Sequence, residues 1–270
     1  PSSDRIVFNN DTRLGSDADD VYVSFLTGGS WTSPARVALD AQASSQDTQR
    51  YEFSPNGEKL VLRGDAPSDN NFEIWVVDTS TTTLGVPVKI NPTLPASGDV
   101  DGFSTIFITP DSRYVFFEGD IIVNNDTELW RADLTAANPT PERVNGSLGN
   151  SNDRDVVSFT LSPDGNFIAY CSDEESDNVF EAYIVDVSGA TIGTPVKVSG
   201  PNPNNGDTFF AVTDGNRLLF VADQDTVGVD ELYFVDVSGA TPGAPVKINH
   251  MLATGESIDE FDVSSDRNKL

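Results

Sequence analysis

The sequence predicts an all-β chain, a β-propeller of four-stranded antiparallel blades, on three observations. Two 19-residue stretches nearly repeat each other, "EAYIVDVSGATIGTPVKVS" from Glu181 and "ELYFVDVSGATPGAPVKIN" from Glu231. Short runs rich in β-branched and aromatic residues alternate apolar with polar letters, and no segment carries a sustained helical period. A wider four-part unit then recurs five times along the 270 residues.

The first part of the unit is an alternating strand that ends in a turn. Its copies are "DTQRYEFSPNG" from Asp47, "DGFSTIFITPDS" from Asp101, "DVVSFTLSPDG" from Asp155, "DTFFAVTDG" from Asp207 and "IDEFDVSSDR" from Ile258. Asp47, Asp101, Asp155, Asp207 and Asp259 stand 54, 54, 52 and 52 positions apart. Pro presets one dihedral of the turn and Gly accepts positive φ. The second part is an apolar strand closing on Asp: "RIVFNND", "KLVLRGD", "YVFFEGD", "FIAYCSD" and "LLFVAD". After a polar loop comes the third strand, "DDVYVSFL", "FEIWVVDTS", "TELWRADLT", "EAYIVDVS" and "ELYFVDVS". The fourth part is short and basic: "ARVALD", "PVKINP", "ERVNG", "PVKVSG" and "PVKIN". One such blade cannot bury both of its faces, so neighbouring blades must stack.

The run "FTLSPDGNFIAYCSD", followed by "FEAYIVDVSG" and "PVKVSG", resembles the TolB-like, WD-type propeller repeat with its Ser-Pro-Asp-Gly turn between the first two strands. The resemblance extends over essentially the whole chain, although "AVTDG" lacks the Pro and "DVSSDR" lacks Pro and Gly. It implies the fold, and for function only a range: periplasmic scaffolds, propellers beside a peptidase's separate hydrolase domain, and surface proteins. A single propeller domain is expected over residues 1–270, with five blades. Blade 1 would be composite, from residues 5–40 and 257–267, closing the ring. The turn "SSDR" recurs at Ser2 and Ser264, so the alternative is a fragment of a six- to eight-bladed propeller.

Forty-three acidic residues against 16 basic ones give a net charge of −27. Nucleic acid and anionic membrane surfaces are poor partners for such a chain. No apolar run reaches the 18 residues of a membrane span. The opening "PSSDRIVF" has neither Met nor a signal-like segment and reads as a processed or excised chain. Abundant Asp, Asn, Thr, Ser and Gly with few Lys point to an extracellular, cell-surface or periplasmic protein.

No catalytic set is legible. The sequence has one histidine, His250, in a connector, and one cysteine, Cys171, in an alternating strand, with no Gly-x-Ser-x-Gly elbow. One His and one Cys cannot complete a zinc site. "RGD" at Arg63 to Asp65 falls where "EGD", "CSD" and "VAD" stand in other units, which makes it a turn element. Sequons at Asn10, Asn125 and Asn145 are expected by chance in so Asn- and Thr-rich a chain. Arg36, Lys89, Arg143, Lys197 and Lys247 share one position on the outer strand, where charge blocks edge aggregation. Asp78, Asp133, Asp186 and Asp236 on the third strands are expected to pair with them.

The acidic face is the candidate site. Asp47, Asp101, Asp155, Asp207 and Asp259 would set five carboxylates near the axis, joined by Asp173, Asp177, Asp223 and Asp225 from the loops. Like charges so placed repel unless a cation joins them, and Ca²⁺ takes six to eight such oxygens. No cofactor is required: the two readings of these acids are a bound Ca²⁺ and solvated turn Asp. Trp31, in "TGGSWTSP", is the aromatic placed to stack on a glycan, whereas Trp75 and Trp130 hold matching third-strand positions. The leading expectation is a non-enzymatic extracytoplasmic scaffold that binds a protein partner or assembles with itself. A glycan-binding propeller is second, and a metal-dependent lyase or lactonase-like enzyme is third.

Overall fold

The computed structural model describes residues 4–11, 19–39, 47–65, 71–100, 106–148, 154–200, 208–213, 216–239, 241–252, 255–258 and 261. Among them there is no helix, and the strands form five four-stranded antiparallel sheets. They divide into two compact units, Pro1–Arg143 and Val144–Leu270.

The first unit holds three blades. Blade 1 comprises β1 (Arg5–Asp11), β2 (Asp19–Thr27), β3 (Ser30–Trp31) and β4 (Ala35–Arg36). Blade 2 comprises β5 (Thr48–Phe53), β6 (Lys59–Gly64), β7 (Glu73–Asp78) and β8 (Val88–Lys89). Blade 3 comprises β9 (Phe107–Ile108), β10 (Tyr114–Gly119), β11 (Glu128–Asp133) and β12 (Glu142–Arg143). In the second unit, blade 4 is β13 (Val156–Leu161), β14 (Phe167–Ser172), β15 (Glu181–Asp186) and β16 (Val196–Lys197). Blade 5 is β17 (Thr208–Thr213), β18 (Arg217–Ala222), β19 (Glu231–Asp236) and β20 (Val246–Lys247).

Blades 2 to 5 are simple meanders, each strand pairing with the next. Blade 1 begins at what is a second strand elsewhere, and its long β2 pairs with both the β3 hairpin and β4. The strand expected to complete it over residues 257–267 falls largely outside the described residues.

Second and third strands are buried along most of their length, and within each unit adjacent blades pack face to face. Val21, Val23 and Phe25 of blade 1 pack with Leu60, Leu62, Trp75 and Val77 of blade 2. On the other face of β7, Ile74 and Val76 pack with Val115, Phe117 and Trp130 of blade 3. In the second unit, Ala169, Cys171 and Ile184 of blade 4 meet Leu218, Phe220 and Val235 of blade 5.

At three points the chain leading from one blade is hung back on that blade by one backbone bond. Val100 N–H donates to Phe72 O at 3.0 Å, Thr208 N–H to Phe180 O at 2.8 Å, and Ile258 N–H to Asp230 O at 2.8 Å. These bonds correct the register expected from spacing. The position of Asp47 and Asp155 is held by Asp99, not Asp101, and by Ser257, not Asp259. Asp99 and Ser257 also play one role, accepting the backbone N–H of Phe72 at 2.6 Å and of Asp230 at 3.2 Å. Asp101, Asp207 and Asp259 themselves lie outside the described residues.

The fully buried Phe220 stacks on Tyr233 with ring centroids 5.4 Å apart. Phe220→Ala is therefore expected to cost about 3–5 kcal/mol of folding stability in urea denaturation.

Candidate functional site

The fourth strand of every blade is two residues long. Two ladder positions are a weak tether, and a charge pair reinforces it. Lys89 Nζ donates to Glu73 Oε1 at 2.7 Å, Lys197 to Glu181 at 2.8 Å and Lys247 to Glu231 at 2.9 Å. Arg36 donates to Asp20 at 2.5 Å, and Arg143 lies 3.9 Å from Glu128. Each acid stands at the start of the third strand, and an aromatic two residues later stands directly opposite the base: Tyr22, Trp75, Trp130, Tyr183 or Tyr233. Acid, aromatic and base therefore share one face of every blade.

This arrangement replaces the pairing expected from sequence. Asp78, Asp133, Asp186 and Asp236 lie at the far end of the third strand and cap the turn that follows. Their carboxylates each accept the N–H two residues on, from Ser80, Thr135, Ser188 and Ser238, all at 2.9 Å. Asp78 and Asp133 also bind bases where the second strand begins, Lys59 at 2.9 Å and Arg113 at 3.1 Å. The hydroxyl of Ser80, with Lys59, holds the Asp78 carboxyl down to about 2. A signal for the true partners was present in the letters: Glu or Asp two residues before each of these aromatics.

The acids of the loops do different work. Asp173 is buried, and its Oδ1 accepts Asp155 N–H at 2.7 Å while Oδ2 accepts Asn178 N–H at 2.9 Å. Asp120 likewise takes Asp99 N–H and, at 3.2 Å, Asn125 N–H. Asp223 accepts Gly228 N–H at 2.6 Å. The strand-ending Asp thus clips the loop after it, at residues with positive φ (Asn125, Asn178, Gly228), and in blades 3 and 4 it also clips the start of the first strand. Asp225 binds Lys247 at 3.0 Å, as Glu175 binds Lys197 at 2.7 Å. Desolvation lowers the Lys197 ammonium, but its two carboxylates override this and hold it above its usual value.

Among the residues expected at a metal site, Asp47 and Asp155 are half-buried and Asp177 is exposed. Among the described residues, no three metal-ligating side chains come together. Arg63 and Asp65 of the "RGD" stretch are buried: Arg63 donates to Val100 O at 2.5 Å, and Asp65 accepts Asp47 N–H at 2.5 Å. A Cβ on Gly64 would collide with Leu39 and stand 3.1 Å from the Asp47 carbonyl. The tripeptide is an internal brace. Cys171 is fully buried, and burial pushes its thiol up to about 12. His250 is exposed. Trp31 lies on the β3 hairpin, 46% exposed.

Glu128 offers a pH test of the acid position. Burial pushes its carboxyl up from 4.5 to about 6, against the N–H groups of Ile122 and Ile121, each 3.3 Å from Oε2. The unfolded chain ionises this group first as pH rises. Its contribution to stability is full below pH 4.5 and is lost as the pH passes through about 6. In thermal melts, the Tm of Glu128→Gln relative to the parent should therefore increase across that window; a flat difference would contradict the assignment.

No family model and no curated protein matches the sequence. Solved structures match in fold. The chain is similar to a prolyl endopeptidase from work on inter-domain dynamics in catalysis and specificity, at 16% identity and a TM-score of 0.56, over 90% of this chain and 33% of that one. It is similar to prolyl oligopeptidase B from Galerina marginata bound to a 35mer substrate, at 13% identity and 0.56, over 90% and 35%. The apo form of that protein matches at 12% identity and 0.53, over 92% and 34%. The chain spans about a third of the length of these structures. At such identity the likeness is one of fold, and it agrees with the blade repeat: the chain is built as a β-propeller.

Proposed function

We propose that this chain is a non-enzymatic, TolB-like propeller scaffold acting outside the cytoplasm, which binds a protein partner or assembles with itself through blade 1. The observation that carries the reading is an apolar patch on one face of that blade. Ile6 is 43% exposed, Leu26 38% and Trp31 46%. Ile6 stands opposite Ser24, and Leu26 opposite Trp31, so all three side chains fall on the same face of β1, β2 and β3. A Trp among aliphatic side chains is the composition of a binding hot spot. Charge on the outer strands keeps association away from the sheet edges and leaves this face for it.

A second reading is favoured by the structural comparisons. The chain would be the accessory propeller of a peptidase whose catalytic domain is a separate part, with the blade 1 patch facing that domain. Both readings need the patch. The Ca²⁺-stabilised form of either adds a cation at the acidic loops, and a Tm that stays unchanged with EDTA removes that addition.

Self-assembly is the form most directly tested. Size-exclusion chromatography with light scattering is expected to show mass rising with concentration. Leu26→Ser with Trp31→Ser should hold the chain monomeric without lowering its Tm. A parent chain that is monomeric at every concentration removes the self-assembly form.

A further inference from the structure

We infer that blade 2 carries a binding site for a neutral hydroxyl-bearing ligand of single-sugar size, built on the carboxylate of Glu73. The inference stands apart from the blade 1 interface and does not depend on it.

The observation comes from comparing the same position in four blades. Oε1 of each strand-opening Glu faces the outer-strand base. The second oxygen is satisfied within the protein in three of them. Glu181 Oε2 accepts the Tyr183 hydroxyl at 3.1 Å, and Glu231 Oε2 accepts the Tyr233 hydroxyl at 3.2 Å. Burial and the neighbouring carboxylates push both phenols up, so they stay protonated donors. Glu128 Oε2 accepts two backbone N–H groups. In blade 2 the aromatic is Trp75, whose indole N–H turns instead to Gly64 O at 3.3 Å. Glu73 Oε2 is left buried with no partner, in a residue only 8% exposed.

That residue lines a cavity of about 170 Å³ with Asn71, Thr93, Leu94 and Pro95. The volume is below the few hundred cubic ångströms that a drug-sized ligand needs, which suits a single small ring. Leu94 and Pro95 supply an apolar wall, while Asn71 and Thr93 bring an amide and a hydroxyl. A buried carboxylate oxygen without a donor carries a desolvation penalty that a ligand hydroxyl relieves. Lys89 already neutralises Glu73 at 2.7 Å, so the site gains little from a second cation. The net charge of −27 disfavours an anion. A neutral polyol with one hydroxyl on Oε2 and a C–H face on Leu94 and Pro95 meets every one of these conditions.

The test uses the whole chain and methyl glycosides of neutral hexoses as probes in saturation-transfer NMR. The parent is expected to give transfer at millimolar probe. Trp75→Tyr should place a hydroxyl on Oε2, as Tyr183 and Tyr233 do in their blades, and abolish transfer while the fold is kept. Glu73→Gln should weaken binding by about tenfold or more, the loss of one hydrogen bond to a charged acceptor. Glu231→Gln removes the equivalent charge in blade 5 and should leave binding unchanged. Should Trp75→Tyr lower the Tm, the contrast between Glu73→Gln and Glu231→Gln decides. The inference is overturned if no glycoside gives transfer, if transfer persists in a folded Trp75→Tyr chain, or if Glu231→Gln loses it as fully as Glu73→Gln.

Discussion

The pairing of a strand-opening carboxylate with an outer-strand base is the constraint on which the blades depend. An edge strand with two paired residues has too few ladder bonds to hold itself against solvent and entropy. Lys197 and Lys247 reach across to acids that are almost wholly buried, with 6% side-chain exposure for both Glu181 and Glu231. The acid needs the base to be buried at all, and the base needs the acid to fix the strand. The aromatic between them fills the space beside the pair. In blades 1, 4 and 5 it stacks on a second-strand ring, at 5.8, 5.2 and 5.4 Å between centroids. The outer strand is thereby tied through the third strand to the second, where the apolar clusters between neighbouring blades are built.

Much of this was legible in the letters, because turn chemistry and period-two alternation act locally. The Pro-Asn-Gly and Pro-Asp-Gly turns close as expected, with Gly57 and Gly165 at φ of 75° and 77°. Ser112 replaces Gly in the third copy and adopts φ 65°, where its hydroxyl accepts the N–H of Asn56 in the neighbouring blade at 2.9 Å. Even the small residue before each strand-ending Asp has a cause. A Cβ on Gly119 would stand 2.9 Å from the Asp99 carbonyl, since the first strand passes there.

Two assignments escaped the letters for one physical reason: spacing does not distinguish equivalent positions from similar residues close by. "SGDVDG" offers Asp99 and Asp101, and only the backbone bond from Val100 to Phe72 selects the first. The outer-strand bases had two acids in each third strand to choose between. The two lie five residues apart on opposite faces of the strand, and which face and strand end the base shares is set by where the short fourth strand pairs. The exposed face of blade 1 was half legible, because Trp31 could be placed in a loop while its alignment with Ile6 and Leu26 required the ladder register. The open oxygen of Glu73 depends on an indole and a phenol turning to different acceptors, which letters alone do not carry.

A double-mutant cycle on Glu181 and Lys197, read by urea denaturation of Glu181→Gln, Lys197→Met and the double variant, tests the account most directly. The account predicts a coupling energy of about 1–2 kcal/mol, above that of an exposed pair because one partner is buried. Single-variant effects that add to within about 0.3 kcal/mol would show that the outer strand is held by its ladder alone and would contradict it.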